Sequence, residues 1–220
     1  MDATQSPTPF VAALFAGDRI AKPGNAMYHT SIPGSAAQAN PLDLAPKLFA
    51  YTLLCLRDEG AIAFAEMSKK VLFVTTAWIH VTRTGKPTSA TGLAARLFER
   101  IGDGKSAKDV VRAWFASDVY NPWGDTVAAA TKEAIDAGYL VPEKQGAAAS
   151  LGAKLTRFVA TTVAPGREEE LHKVAADAAQ RWAGYQSREG ALVDALVKQC
   201  GSGIGSRRNQ MAAAGIEQIG

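Results

Sequence analysis

A lysine and a serine follow a glycine at Gly102-Asp103-Gly104-Lys105-Ser106, the triplet with which a phosphate loop holds a nucleotide. That loop needs a second glycine five residues before Gly104, and Glu99 stands there. It also needs a preceding strand, whereas Leu93, Leu97 and Ile101 form a helical stripe, so the triplet reads as a turn between helices. Gly201-Ser202-Gly203-Ile204-Gly205 has dinucleotide-loop spacing but follows a helical pattern, and it reads as flexible chain. His29, His80 and His172 fall in three different elements, none at ligand spacing from another His, Cys or acid, so no metal or other cofactor is expected. Asp58-Glu59 and Glu168-Glu169-Glu170 could do acid–base work, but both sit at helix ends, where solvated carboxylates are common. No G-x-S-x-G nucleophile elbow is present.

Basic residues gather in the middle of the chain: Arg83, Lys86, Arg96, Arg100, Lys105, Lys108 and Arg112. Such a stretch can meet phosphates of nucleic acid or lipid, or can be the solvated face of helices. The net charge of +3 is too small for a concentrated DNA-binding face, so nucleic acid is disfavoured. Cys55 and Cys200 lie far apart inside apolar helical patterns and read as buried, reduced thiols of a cytoplasmic protein. Neither a run of about 18 apolar residues nor a basic start with a long apolar run is present, so a membrane span and a secretory leader are not expected.

The elements that must position these residues are mostly helical. The chain has 220 residues, 47 % hydrophobic and 20 % charged, enough for one sizeable domain. Residues 1–9, with Pro7 and Pro9, read as a disordered lead, 10–200 as the domain and 201–220 as a flexible tail. Phe10, Val11, Leu14 and Phe15 mark a first helix, and the segment 21–40 reads as loop.

Two later stretches repeat one pattern. Pro41 to Glu59 is a helix that stops at Gly60 before the apolar strand Ala61–Phe64, a Ser68-Lys69-Lys70 turn and a return strand from Val71. Pro122 to Ala137 stops at Gly138 before Tyr139-Leu140-Val141, a glycine-rich turn and a return from Lys154 to Thr161. The two glycines should share a left-handed conformation, and the two stretches read as tandem winged-helix-like units. Between them, Ser106-x-x-Asp109 has the form of a capping box ahead of Val110, Val111, Trp114 and Phe115. Glu168 to Trp182 and Arg188 to Cys200 read as two further helices, and Trp114 and Trp182 as core residues.

The order of elements from Leu42 to Cys200 resembles the Golgi phosphoprotein 3 family of phosphatidylinositol-4-phosphate readers and their bacterial relatives. Leu53-Leu54-Cys55-Leu56-Arg57-Asp58-Glu59-Gly60-Ala61-Ile62 is similar to its leucine-rich helix ending in glycine. Thr82-Arg83-Thr84-Gly85-Lys86-Pro87 is similar to its turn after the strand. Val110-Val111-Arg112-Ala113-Trp114, Asn121-Pro122 and Glu133 to Leu140 are similar to its central helices, and Gly190 to Val197 to its late helix.

The resemblance implies a mainly α, single helical domain with two short β-hairpins, no catalysis, and headgroup binding by a basic surface pocket. The family pocket takes a tryptophan from the loop before the leucine-rich helix, an arginine at that helix's start and an R-x-x-R pair on a central helix. Here the loop offers Tyr28 and His29, and the helix start offers Lys47. The family's arginine pair would fall near Gly124 and Val127, beside Trp123, where this chain has no arginine and Lys132 is the nearest base. Lysine lacks the bidentate fork of arginine, so the implied pocket is degenerate and its binding of acidic phospholipid headgroups weak. The family's apolar hairpin, used for membrane contact or self-association, corresponds to Gly146–Lys154, with Leu151 its one large apolar residue. The expectation is a cytoplasmic peripheral-membrane or scaffold protein. A winged-helix DNA-binding regulator, or a structural protein docking on a protein partner or on another copy of itself, are the alternatives.

Overall fold

The computed structural model describes residues 6–71, 74–102, 104–143 and 161–208. Among them are seven helices and three small antiparallel sheets, so the protein is mainly helical. The helices are α1 (Pro9–Phe15), α2 (Gly17–Ile20), α3 (Pro41–Asp58), α4 (Gly92–Glu99), α5 (Ala107–Trp114), α6 (Pro122–Asp136) and α7 (Glu168–Gly205). The strands are β1 (Thr30–Ser31), β2 (Gln38–Ala39), β3 (Ile62–Val71), β4 (Val74–Arg83), β5 (Lys105–Ser106), β6 (Leu140–Pro142) and β7 (Thr161–Val163).

α3 is the axis of the molecule. Every residue from Leu48 to Leu56 is buried, and a helix apolar on all sides is one that other helices surround. α1, α6 and α7 pack around it. Phe49 meets Phe10 edge-on at 5.2 Å and Trp114 edge-on at 5.1 Å, and Trp114 meets Phe115 at 5.0 Å. Such edge-to-face pairs add about 0.5–1.5 kcal/mol each beyond area burial. The buried Thr52 hydroxyl donates to the Leu48 carbonyl at 2.8 Å, so no polar atom is stranded on that face.

The helices of the two repeated units begin and end alike. Asn40 accepts the Leu42 amide at 2.9 Å with Pro41 in the first turn; Asn121 accepts the Gly124 amide at 3.1 Å with Pro122 in the first turn. Gly60 and Gly138 both have φ of +74°. The Gly60 and Ala61 amides donate to Arg57 and Leu56, as the Gly138 and Tyr139 amides donate to Ile135 and Ala134. Each helix therefore closes in a Schellman motif and leads at once into a strand, as the glycine spacing predicts. Ser106 also caps α5 as expected, its hydroxyl accepting the Asp109 amide at 3.1 Å and donating to the Asp109 carboxylate at 2.6 Å.

Four expectations change. Ser68-Lys69-Lys70 is no turn: these residues continue β3 opposite Ala77, Thr76 and Thr75, and the reversal falls between Val71 and Val74. A strand needs apolar alternation only where one face is buried, and Ala65–Lys70 are exposed. Second, the loop 21–40 contains the short β1–β2 ladder. Third, the two expected late helices abut with no loop between them: they meet at a kink at Glu189 (φ −148°, ψ 43°), one residue past the expected start at Arg188, and α7 spans both. Fourth, the expected tail starts late, because α7 runs through Gly205 with Gly203 and Ile204 buried. A Cβ on Gly203 would stand 2.6 Å from the Lys108 carbonyl oxygen, so this glycine lets α7 approach the α5 backbone closely. At the other end, Thr8 caps α1 and Pro9 opens it, within the expected lead.

Trp114 and Trp182 are each 3 % exposed, and both cysteines are free and buried. One apolar core joins α1 to α7, from Phe10 to Ile204. The expected return from Lys154 and the segment Gly146–Lys154 with Leu151 lie outside the described residues; β7 begins at Thr161.

Candidate functional site

Of the five residues expected to form a headgroup pocket, His29 and Lys132 line one groove. Lys47 is committed to the fold: its Nζ donates to Asp43 Oδ2 at 2.7 Å and to the Ile20 carbonyl at 2.8 Å, tying α2 to α3. Trp123 lies in the first turn of α6, half-buried, its ring 3.6 Å from where a Cβ on Gly205, at the end of α7, would stand. Tyr28 is exposed in a turn whose backbone is held by the Asn25 side chain. His29 places Nδ1 3.1 Å from the Asn25 carbonyl oxygen.

Only His29 and Lys132 share a feature, a groove of about 1270 Å³ between the β1 loop and α6. Lys132 pairs with Asp136 there at 2.6 Å, and Asp125, Glu143 and Arg96 are also on its walls, so its basic and acidic groups are mixed. Its floor includes Trp114, whose buried Nε1 has no hydrogen-bond partner among the described residues. Arg96 lies over that indole at 4.4 Å and donates to the Trp114 carbonyl at 2.9 Å.

The first hairpin forms a different kind of surface. The bases of β3 and β4 are anchored: Ile62, Ile79 and Val81 are buried, and the Ile79 amide donates to the Gln199 side chain of α7 at 3.2 Å. β5 pairs with β4 only at His80 and Val81. Beyond that point the two strands continue without a third, and the six exposed residues Ala65–Lys70 span about 20 Å at strand rise. Met67, 44 % exposed, stands opposite the half-buried Trp78, and Lys69 and Lys70 follow. In sequence the next four residues, Val71-Leu72-Phe73-Val74, are apolar.

A third feature escaped sequence reasoning. Where α7 crosses α3, a cleft of about 1130 Å³ opens beside Tyr51, Asp58, Arg181 and Tyr185. Tyr185 donates to Asp58 Oδ2 at 2.6 Å, and Arg181 Nη1 reaches the Cys55 thiol at 4.0 Å. Burial pushes the Tyr51, Cys55 and Tyr185 ionisations up, so all three are neutral near pH 7. At its edge Arg57 grips Glu189 through both carboxylate oxygens, at 2.6 and 2.7 Å, at the kink of α7. This fork is the first cause of the lowered Glu189 carboxyl. The signal was present in the spacing: Tyr51, Cys55 and Asp58 recur at i, i+4, i+7, and so do Arg181, Tyr185 and Arg188.

Among the described residues no His, Cys, Asp and Glu side chains gather as a metal would require, and no helix is long and apolar enough to cross a membrane. Comparison with family models, curated proteins and solved structures returned no match.

Proposed function

We propose that the protein is a non-catalytic, cytoplasmic peripheral-membrane protein whose surface contact is the β3–β4 arm. The observation that carries this reading is the arm itself. It is a two-stranded hairpin extending past its last supporting strand, with Met67, Trp78, Lys69 and Lys70 beside an apolar stretch of sequence. Apolar side chains flanked by lysine suit an interface between acidic headgroups and acyl chains. The resemblance to phosphatidylinositol-4-phosphate readers supports the same class of ligand, and the arm substitutes for the headgroup pocket, of whose five expected residues His29 and Lys132 line one groove.

We read the two helix–hairpin units as winged-helix-like, with the arm as the longer wing. DNA is the weaker target for such wings. α6, the helix before the second hairpin, carries Asp125, Glu133 and Asp136 against one base, Lys132, which opposes a phosphate backbone.

Each basic residue near an acidic membrane contributes about 1 kcal/mol, so Lys69 and Lys70 together give about 2 kcal/mol. Binding should be weak and salt-sensitive, and stable only with several copies or with apolar insertion. The test is sedimentation with vesicles of 0 to 40 % phosphatidylserine, at low and high salt, for wild type and Lys69→Glu/Lys70→Glu. The reading expects anionic, salt-sensitive binding that the double variant loses. Equal binding by both proteins removes the arm. Binding by neither, with the protein self-associated in solution, replaces the membrane by a protein contact.

A further inference from the structure

The cleft between α3 and α7 is built around an arginine that meets neutral partners. Arg181 contacts the Cys55 thiol and faces the Tyr51 hydroxyl, and these floor residues are 4 % and 3 % exposed. Asp58, the nearest acid on α3, is occupied by the Tyr185 hydroxyl and by Arg57. Asp177, one turn before Arg181, also lines the cleft. Arg188, two turns beyond, lies on the rim over the Tyr185 ring at 5.7 Å. Its Nη1 is 3.2 Å from where a Cβ on Gly184 would stand. A guanidinium has five donors in a planar fork, and here a weakly accepting thiol and a phenol answer only part of them.

We propose that this cleft binds a compact oxyanion, phosphate or a phosphate monoester. Arg181 is its fork, the Tyr51 hydroxyl its donor from the floor, and Arg188 its second cation at the rim. A tetrahedral dianion suits the arrangement because Tyr51 on α3 and Arg181 and Arg188 on α7 line the same cleft. The site is independent of the arm: it lies on α3 and α7, and neither Lys69 nor Lys70 takes part.

Thermal melts at constant ionic strength, with inorganic phosphate replacing chloride, measure it. Wild type should show a saturable rise in Tm with phosphate. Arg181→Gln should weaken that affinity roughly tenfold or more, the loss of a charged hydrogen-bonding fork, with Tyr51→Phe intermediate. Arg181 is exposed, so its replacement leaves the core intact, and Arg100→Gln serves as a surface control with an unchanged response. A phosphate response no larger than that to chloride, or one equal in Arg181→Gln and wild type, overturns the proposal. Vesicles containing phosphatidate separate the two sources of the phosphate. Loss of both vesicle binding and the phosphate response in Arg181→Gln makes a lipid headgroup the source, and loss of the phosphate response alone makes it a soluble ester. The Lys69→Glu/Lys70→Glu variant keeps its phosphate response, so failure of the arm and failure of the cleft are read separately.

Discussion

Asn40-Pro41 opens α3 as Asn121-Pro122 opens α6, and Gly60 closes the first helix as Gly138 closes the second. Past the glycines the two units diverge. The first hairpin has strands of ten residues, a third strand at its base and an exposed outer half. In the second, the described residues of β6 and β7 pair with one another from Leu140–Val163 to Pro142–Thr161. The helices differ too. α3 is buried from Leu48 to Leu56, whereas α6 buries one side, through Val127, Ala130 and Ala134. A glycine cap thus sets where a helix turns into a strand. Arg57 and Tyr185 meet Asp58 where the first unit touches α7. Tyr139 makes the corresponding tie for the second, donating to Glu170 Oε1 at 3.1 Å beneath Arg167.

The comparison is broken most directly in the core. Phe49→Ala should cost about 3–5 kcal/mol because its ring touches Phe10, Trp114 and Phe115. Leu140→Ala, buried at the start of β6, should cost about 2–5 kcal/mol and fall below Phe49→Ala. Urea melts giving Leu140→Ala the larger loss would make the second unit the better packed of the two. Gly60→Ala and Gly138→Ala should each cost about 1–2 kcal/mol, the penalty of a side chain in the left-handed region. The two losses should agree, since the Cβ would meet nothing at Gly138 and only the Lys86 side chain at 3.4 Å at Gly60. Unequal midpoints would show that the caps are alike in geometry only.

Two carboxylates sharpen the contrast by pH. Glu189, tied to the first unit by Arg57, has a lowered carboxyl. Its contribution is present above the ordinary glutamate range and is lost as pH falls through the lowered value. Glu133, on α6, is raised, first by burial, while its Oε1 accepts the Leu93 amide at the start of α4. The folded state then holds its proton more tightly than the unfolded one, so stability falls as pH rises from the ordinary glutamate value through the raised one. Stability measured from pH 3 to 7 should lose its acid-side dependence in Glu189→Gln and lose an opposing slope in Glu133→Gln. Slopes of one sign for both would reject the assignment. The smallest effect belongs to Lys132→Ala. Its pair with Asp136 is 2.6 Å long but exposed on both sides, and the expected loss is at most about 0.5 kcal/mol by the same melts.

Sequence periodicity and punctuation carry the fold a long way. The asparagine–proline and glycine pairs mark the ends of α3 and α6, the capping box marks α5, and the apolar stripes mark the core. They do not place the reversal of the first hairpin, because Ser68-Lys69-Lys70 belong to a strand solvated on both faces, where no alternation is imposed. They do divide the two late helices at Arg188, one residue from the kink at Glu189 where those helices meet within α7. The expected pocket was less legible for a different reason. A lysine's position in sequence does not reveal that a neighbouring carboxylate and carbonyl consume it, as Asp43 and Ile20 consume Lys47. The cleft was hidden because half of it comes from α3 and half from a helix about 130 residues later, as the Arg57–Glu189 separation of 132 shows. Each half alone reads as a core stripe with a charge at its edge.

The packing of α1 against α7 has a consequence for how the chain acquires its structure. Phe10, near the beginning, and Ile204, near the end of α7, belong to one core, and α3 lies between α1 and α7. On the ribosome, α1 and α3 emerge long before the helix that covers them. Closing a loop of that length costs only slightly more entropy than closing a shorter one, but it delays the encounter. The Leu48–Leu56 stretch of α3, buried on every side in the folded protein, is therefore exposed during most of synthesis and is a natural surface for a chaperone. The rate-limiting event in refolding should be the docking of α7, not the formation of either glycine-capped unit.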